Sequence, residues 1–183
     1  MAAPRRADAR RNYERLLAAA TEVFGERGAD APLDEIARRA GIGNATMYRH
    51  FPTRSDLLIA VYADEVAALC GRGAALLAAA APGDALFEWL GAFVAHVATK
   101  RQLAQTISPA EGGPRSELFR QWHESMRETA EALAERARRA GAVTAGTTAV
   151  DLLTAANGIA LAAADAPQAE RLLGLLRGGA LVR

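Results

Sequence analysis

Apolar residues recur three and four positions apart along nearly the whole chain, and that spacing predicts helices throughout. Tyr13, Leu16, Leu17, Ala20, Val23 and Phe24 form one stripe of a helix from about Asp8 to Arg27, with Asp8 placed as its cap and Gly28 as its stop. Leu33, Ile36 and Ala37 share one face of a short helix that Gly41 stops, and Ile42 plugs the turn. Asn44 to Phe51 suffices for about two further turns, with Met47 and Phe51 on one side. After Pro52 a long helix is predicted over 55–80, capped by Ser55, with Leu58, Val61, Tyr62, Val66 and Leu69 inward and a bend at Gly71 and Gly73. Asp84 is placed as cap of a fifth helix ending near Thr99, with Leu86, Trp89, Leu90, Phe93 and Val97 spaced for burial. A short amphipathic piece follows at 101–108, then a Gly/Pro loop at 109–114. Leu118, Phe119, Trp122, Met126, Ala130, Leu133 and Ala137 line a helix over 115–140 whose other side is a charged, solvated face. The segment 147–164 is apolar nearly all round after Asp151, and 167–177 crowds Leu172, Leu173, Leu175 and Leu176 together. The fold class predicted is all-α, with about nine helices.

Two short helices joined by a Gly turn of this length form a helix-turn-helix, the arrangement whose second helix can enter the DNA major groove. The predicted organisation is a helix-turn-helix domain over 8–54 and a helical ligand-binding and dimerisation domain over 55–183, with the helix 55–80 connecting them. Composition agrees with the helical reading: 51% of residues are hydrophobic and 5% aromatic. Net charge is only +1, but it is unevenly spread. Residues 1–55 carry ten arginines against seven carboxylates, and the remainder is net acidic. The positive excess therefore lies on the segment expected to meet DNA. Residues 1–7 read equally as a solvated tail or as an arm whose Arg5, Arg6, Arg10 and Arg11 approach DNA. Cys70 is the lone cysteine, which excludes an internal disulfide and suits a small core residue of a cytoplasmic protein. No secretory signal or membrane-length apolar run is visible.

The residues A-G-I-G-N-A-T-M-Y-R-H-F-P-T-R-S-D-L-L, Ala40 to Leu58, resemble the DNA-binding signature of the TetR family of bacterial transcriptional regulators. The resemblance reaches back to about Asp8; beyond about Leu69 it is weaker. It implies that Tyr48 and His50 contact phosphates, that Thr46 sits at the DNA face, and that Arg54, in place of the usual Lys, also binds phosphate. Asn44 and Arg49 are candidates for base edges, because Asn suits adenine and Arg suits guanine. Ala31 and Gly43 stand where the family often has capping hydroxyls, with Asp30 a partial replacement for the first. Together these features predict a repressor released from a near-palindromic double-stranded operator by a small molecule.

No catalytic motif is visible, no two histidines have ligand spacing within a helix, and neither a metal nor a cofactor is expected. The second half should hold a small hydrophobic or aromatic ligand, with Phe87, Trp89, Phe93, His96, Phe119, Trp122, His123, Met126 and Asn157 as candidate lining. The same residues could equally be ordinary core, and Asn157 could instead lie in an interface. Two terminal helices too apolar for one small core predict a homodimer through a two-fold four-helix contact, as the resemblance also implies. Two alternatives remain from sequence: a ligand-binding dimer without DNA binding, and a small helical enzyme.

Overall fold

The computed structural model describes residues 3–107 and 114–182, with side chains described over 7–98 and 117–182. Eight helices are present among the described residues: α1 (Ala3–Arg27), α2 (Leu33–Ala40), α3 (Asn44–His50), α4 (Arg54–Leu76), α5 (Pro82–Ile107), α6 (Pro114–Arg139), α7 (Ala149–Ala162) and α8 (Ala166–Ala180). The chain forms two compact units that divide between Asp64 and Glu65, inside α4, with the end of α5 from Gln102 grouped with the first. The division lies within the connecting helix because its first two turns supply Leu57, Leu58 and Val61, all fully buried, to the first core.

In the first unit, Leu16, Leu17, Ala20, Val23 and Phe24 of α1 are buried together with Ile36, Ala37 and Met47. Helix α1 begins at Ala3, so the expected tail is partly helical and Asp8 lies inside the helix instead of capping it. Pro4 in the first turn is compatible with a helix start, and the Ala- and Arg-rich run after it contains no breaker. Helix α4 is capped by Thr53, not Ser55. The Asp56 amide donates to Thr53 Oγ1 (3.1 Å) and the Thr53 amide to an Asp56 carboxylate oxygen (3.0 Å). This reciprocal box satisfies two otherwise orphaned donors, which Ser55, the second residue of the helix, could not do.

In the second unit, Trp89 is fully buried and its indole N–H donates to Leu69 O at 3.0 Å, joining α5 to α4. Leu86, Leu90, Met126, Leu133 and Ala137 of this unit are also buried. The pieces expected as separate helices over 84–99 and 101–108 are one continuous α5, so eight helices are described where nine were predicted. Thr99, Lys100 and Arg101 contain neither Gly nor Pro, and nothing local ends the helix there. Asp84 is a first-turn residue of α5 and pairs with Arg177 of α8 instead of capping. Apart from Pro114, which starts α6, the expected 109–114 loop lies outside the described residues. Arg136 of α6 donates to Leu76 O and Ala79 O, closing the C-terminal end of α4. Thr148 caps α7 through a full box with Asp151, so the helix starts two residues after the expected 147, and Asp165 caps α8. Val143 and Leu181 form a single antiparallel bridge that ties the chain end to the α6–α7 connection.

Gly73 has a packing reason. A Cβ there would lie 2.1 Å from Thr129 Cγ2 and 2.9 Å from Trp89 Nε1, whereas at Gly71 nothing lies within 4 Å. Gly73→Ala should therefore destabilise the protein by about 1–3 kcal/mol through overpacking. Gly71→Ala should be neutral or slightly stabilising. Thermal unfolding of the two variants separates close packing from the helix bend that both glycines suggest in sequence.

Candidate nucleic-acid interface

Helices α2 and α3 hold eight and seven residues, too short to persist alone. Three features hold them. Gly41 adopts φ 63°, ψ 37°, and the Gly41 and Ile42 amides close on Arg38 O (3.0 Å) and Ala37 O (2.9 Å), which ends α2 and turns the chain into α3. Ile42, Met47 and Phe51 are buried on the inner side of that turn. Finally, ion pairs bind α2 to α1. Arg39 meets Glu26 with two bonds of 2.6 and 2.9 Å, and Arg27 meets the half-buried Glu35 at 2.6 Å. The bonded Arg39 guanidinium holds the Glu26 carboxyl below the usual carboxylate range. A carboxylate depressed in the folded state favours folding above its ordinary range, and that contribution is lost as the pH falls through its folded value.

With Met47 inward, the other faces of α3 are presented outward. Tyr48 is 46% exposed. Asn44 and Arg49 are exposed, and Thr46 is half-buried. The Arg49 Nε donates to Ala45 O (3.1 Å), and its Nη2 lies 3.4 Å from Thr46 Oγ1, so the guanidinium lies along its own helix. His50 is half-buried, its ring set edge-on to Tyr13 at 6.3 Å, and Tyr13 in turn packs against Phe51 at 5.2 Å. Asn44, Thr46, Tyr48, Arg49 and His50 thus lie on one short element.

Arg54, expected at a phosphate, makes bonds within the unit. Its Nη1 is turned inward, donating to Ala29 O (2.7 Å) and Ala31 O (2.6 Å), and so ties the α1–α2 connection to the start of α4. Two backbone carbonyls without side-chain donors are a closer demand on the cation than solvent. Asp30 does not replace the missing hydroxyl at Ala31: the residue preceding α2 is Pro32, and no side chain caps the helix. Gly43 likewise caps α3 only through its backbone. The sequence pattern does not single out Asp34, whose carboxylate accepts from the Asn44 amide at 3.0 Å. The two are ten residues apart, in different helices, and no local spacing rule connects them.

The candidate ligand residues of the second unit divide in two. Phe87, Trp89, Phe93, His96, Trp122 and Met126 are buried, and Phe119 is half-buried. Trp89 stacks on Phe93 (5.7 Å) and Phe119 meets Trp122 edge-on (5.1 Å). His96 Nδ1 lies 3.8 Å from a Glu65 carboxylate oxygen, a pairing of α5 with α4. His123 and Asn157 are exposed and do not join this group. His123 instead places Nδ1 2.7 Å from Phe119 O of its own helix. Open cavities lie between α6 and α7 (340 Å³), α7 and α8 (620 Å³), and α5 and α8 (130 Å³). No group of residues able to hold a metal is found among those described. No described helix is long and apolar enough to cross a membrane.

Compared with known proteins, residues 16–61 match the family described as bacterial regulatory proteins, tetR family. Residues 81–180 match the C-terminal domain described as transcriptional regulator SbtR-like. The chain is 36% identical to a TetR transcriptional regulator from Streptomyces coelicolor, covering 93% of this chain and 99% of that one, with a TM-score of 0.77. It is 33% identical to a TetR transcription regulatory protein from Mycobacterium vanbaalenii, covering 98% of this chain and all of that one, with a TM-score of 0.78. A stretch of 64 residues, 34% of the chain, is 42% identical to an uncharacterized HTH-type transcriptional regulator, TtgW, of Pseudomonas putida. The matched stretch spans 48% of that protein, and less than half of the other curated relatives it meets.

Arg54→Ala should lower the stability of the first unit by about 1–3 kcal/mol, because two carbonyls lose a charged donor. Chemical unfolding measures this without DNA. An unchanged midpoint would mean that the side chain is not needed at that position for folding.

Proposed function

The chain belongs to the TetR family of bacterial transcriptional regulators, and on that premise we propose that it is a dimeric repressor that inserts α3 into the major groove of a near-palindromic operator. The observation that carries this is the two-sided character of α3. Met47 faces the core while Asn44, Tyr48 and Arg49 face outward. Tyr48 and His50 bind phosphates, which position the helix, and Asn44 and Arg49 meet base edges, which specify the site. Arg54 supports the interface from inside by fixing the loop before α2.

The reading helix itself carries only Arg49 and His50 as basic residues, so two copies must bind together. Helices α7 and α8 supply the contact between copies: Leu175, 73% exposed, lines the 620 Å³ groove between them, and Val150 of α7 is 55% exposed. Asn157 lies on the exposed side of α7 and serves as a polar residue of that contact. Two-fold pairing places the reading helices about 34–36 Å apart, one turn of DNA. A small hydrophobic or aromatic molecule bound in the second unit among Trp89, Phe93, Trp122 and Met126, with His96 as polar partner, favours a conformer with the wrong spacing. Ligand and operator then weaken each other's binding by the same factor. The protein acts in the cytoplasm and carries out no catalytic step.

The direct test is anisotropy of a labelled duplex taken from the DNA upstream of the protein's own gene, titrated at several salt concentrations. Salt-sensitive, two-fold-symmetric binding is expected at nanomolar to micromolar protein; its absence sinks the proposal. Tyr48→Ala and Arg49→Ala should each weaken binding about tenfold with folding unchanged, and Arg49→Ala should relax specificity at one position. Leu175→Glu should shift the sedimenting species from dimer to monomer and weaken operator binding with it.

A further inference from the structure

We propose that Asp34 is a positioning residue for base recognition: its carboxylate fixes the Asn44 side chain in the orientation that reads adenine. This rests on the DNA-binding reading above and extends it to a residue outside the reading helix. Asn44 is the first residue of α3, and Asp34 lies in the first turn of α2, the neighbouring helix. Both are exposed, and the Asn44 Nδ2 donates to Asp34 Oδ1 at 3.0 Å. A side-chain amide has two N–H donors and one acceptor oxygen. A carboxylate can only accept, so it selects the nitrogen end of the amide and holds that end toward α2. One N–H and the oxygen remain. That donor and acceptor pair is the complement of adenine in the major groove, whose N7 accepts and whose N6 amino group donates. Without Asp34 the amide is free to rotate by half a turn, which exchanges its donor and acceptor.

The same carboxylate has an opposite effect on affinity. An anion at the reading surface repels phosphates and weakens binding to every sequence alike. Asp34 therefore trades general affinity for discrimination, and the two effects can be measured apart. No other described side chain is bonded to the Asn44 amide or the Asp34 carboxylate.

The experiment selects a duplex from a randomised pool with the unaltered protein. It then measures Kd at one fixed salt concentration for that duplex and for its single-base-pair variants. Asn44→Ala identifies the pair that Asn44 reads, as the A·T pair whose preference collapses. Asp34→Ala should reduce the preference at that same pair about tenfold, and the double variant should lose no more than Asn44→Ala alone. Asp34→Asn keeps an acceptor oxygen and should retain the preference within about twofold. Both Asp34 variants should bind the off-site duplexes more tightly than the unaltered protein. The inference is overturned if Asp34→Ala leaves the preference intact, if the two single losses add, if Asp34→Asn behaves as Asp34→Ala, or if Asn44 prefers a base other than adenine. Failure of the unaltered protein to select any duplex overturns the DNA-binding reading itself, and this inference with it.

Discussion

A seven-residue helix has no stability of its own in water, because nucleation costs more than so few hydrogen bonds return. Helix α3 is such a helix, and the surrounding first unit exists to hold it. Ile42, Met47 and Phe51 fix it from beneath, and Gly41 sets the angle at which the chain enters it. The doubly bonded Arg39–Glu26 pair fastens α2 to α1, and α1 supplies the apolar stripe on which both short helices rest. With the inner face committed to packing, the outer face is left with polar side chains held in fixed positions. That prior fixing is what recognition of base edges requires.

The same commitment explains why a positive segment is a poor measure of a DNA-binding surface. Arg27 and Arg39 are engaged with Glu35 and Glu26, Arg10 with Glu14, and Arg54 with backbone carbonyls. Three of the arginines counted from the sequence are thus matched by carboxylates, and Arg54 is committed to the fold. The reading head is sparse, and its neighbour Asp34 adds an anion. Presentation in two copies is the natural way for such a surface to gain affinity, which is why the exposed apolar residues of α7 and α8 matter to the function proposed for α3.

The helical fold and the helix-turn-helix were legible in the sequence because they rest on local rules: apolar spacing, a glycine stop, and a motif in continuous register. The family matches over 16–61 and 81–180 agree with the resemblance read from Ala40 to Leu58. What was not legible depends on groups distant in sequence. The inward turn of Arg54 answers carbonyls more than twenty residues away. Gly73 reads as a helix bend until Thr129 and Trp89 are seen to occupy the space a Cβ would need. The caps failed for a subtler reason. Ser55 and Asp84 are good capping residues, but Thr53 with Asp56 satisfies two donors at once, and Asp84 pairs with Arg177. Among the candidate ligand residues, periodicity correctly placed Trp89, Phe93, Trp122 and Met126 in the interior. It could not separate them from His123 and Asn157, which the packing leaves outside.

The central claim is that two copies of α3 read DNA on one face of the duplex. Hydroxyl-radical footprinting of the protein on a duplex that it selects measures this directly. Two protected patches related by a two-fold axis, with centres about 34–36 Å apart along the helix, are the predicted result. A single patch, or uniform weak protection without symmetry, would contradict it.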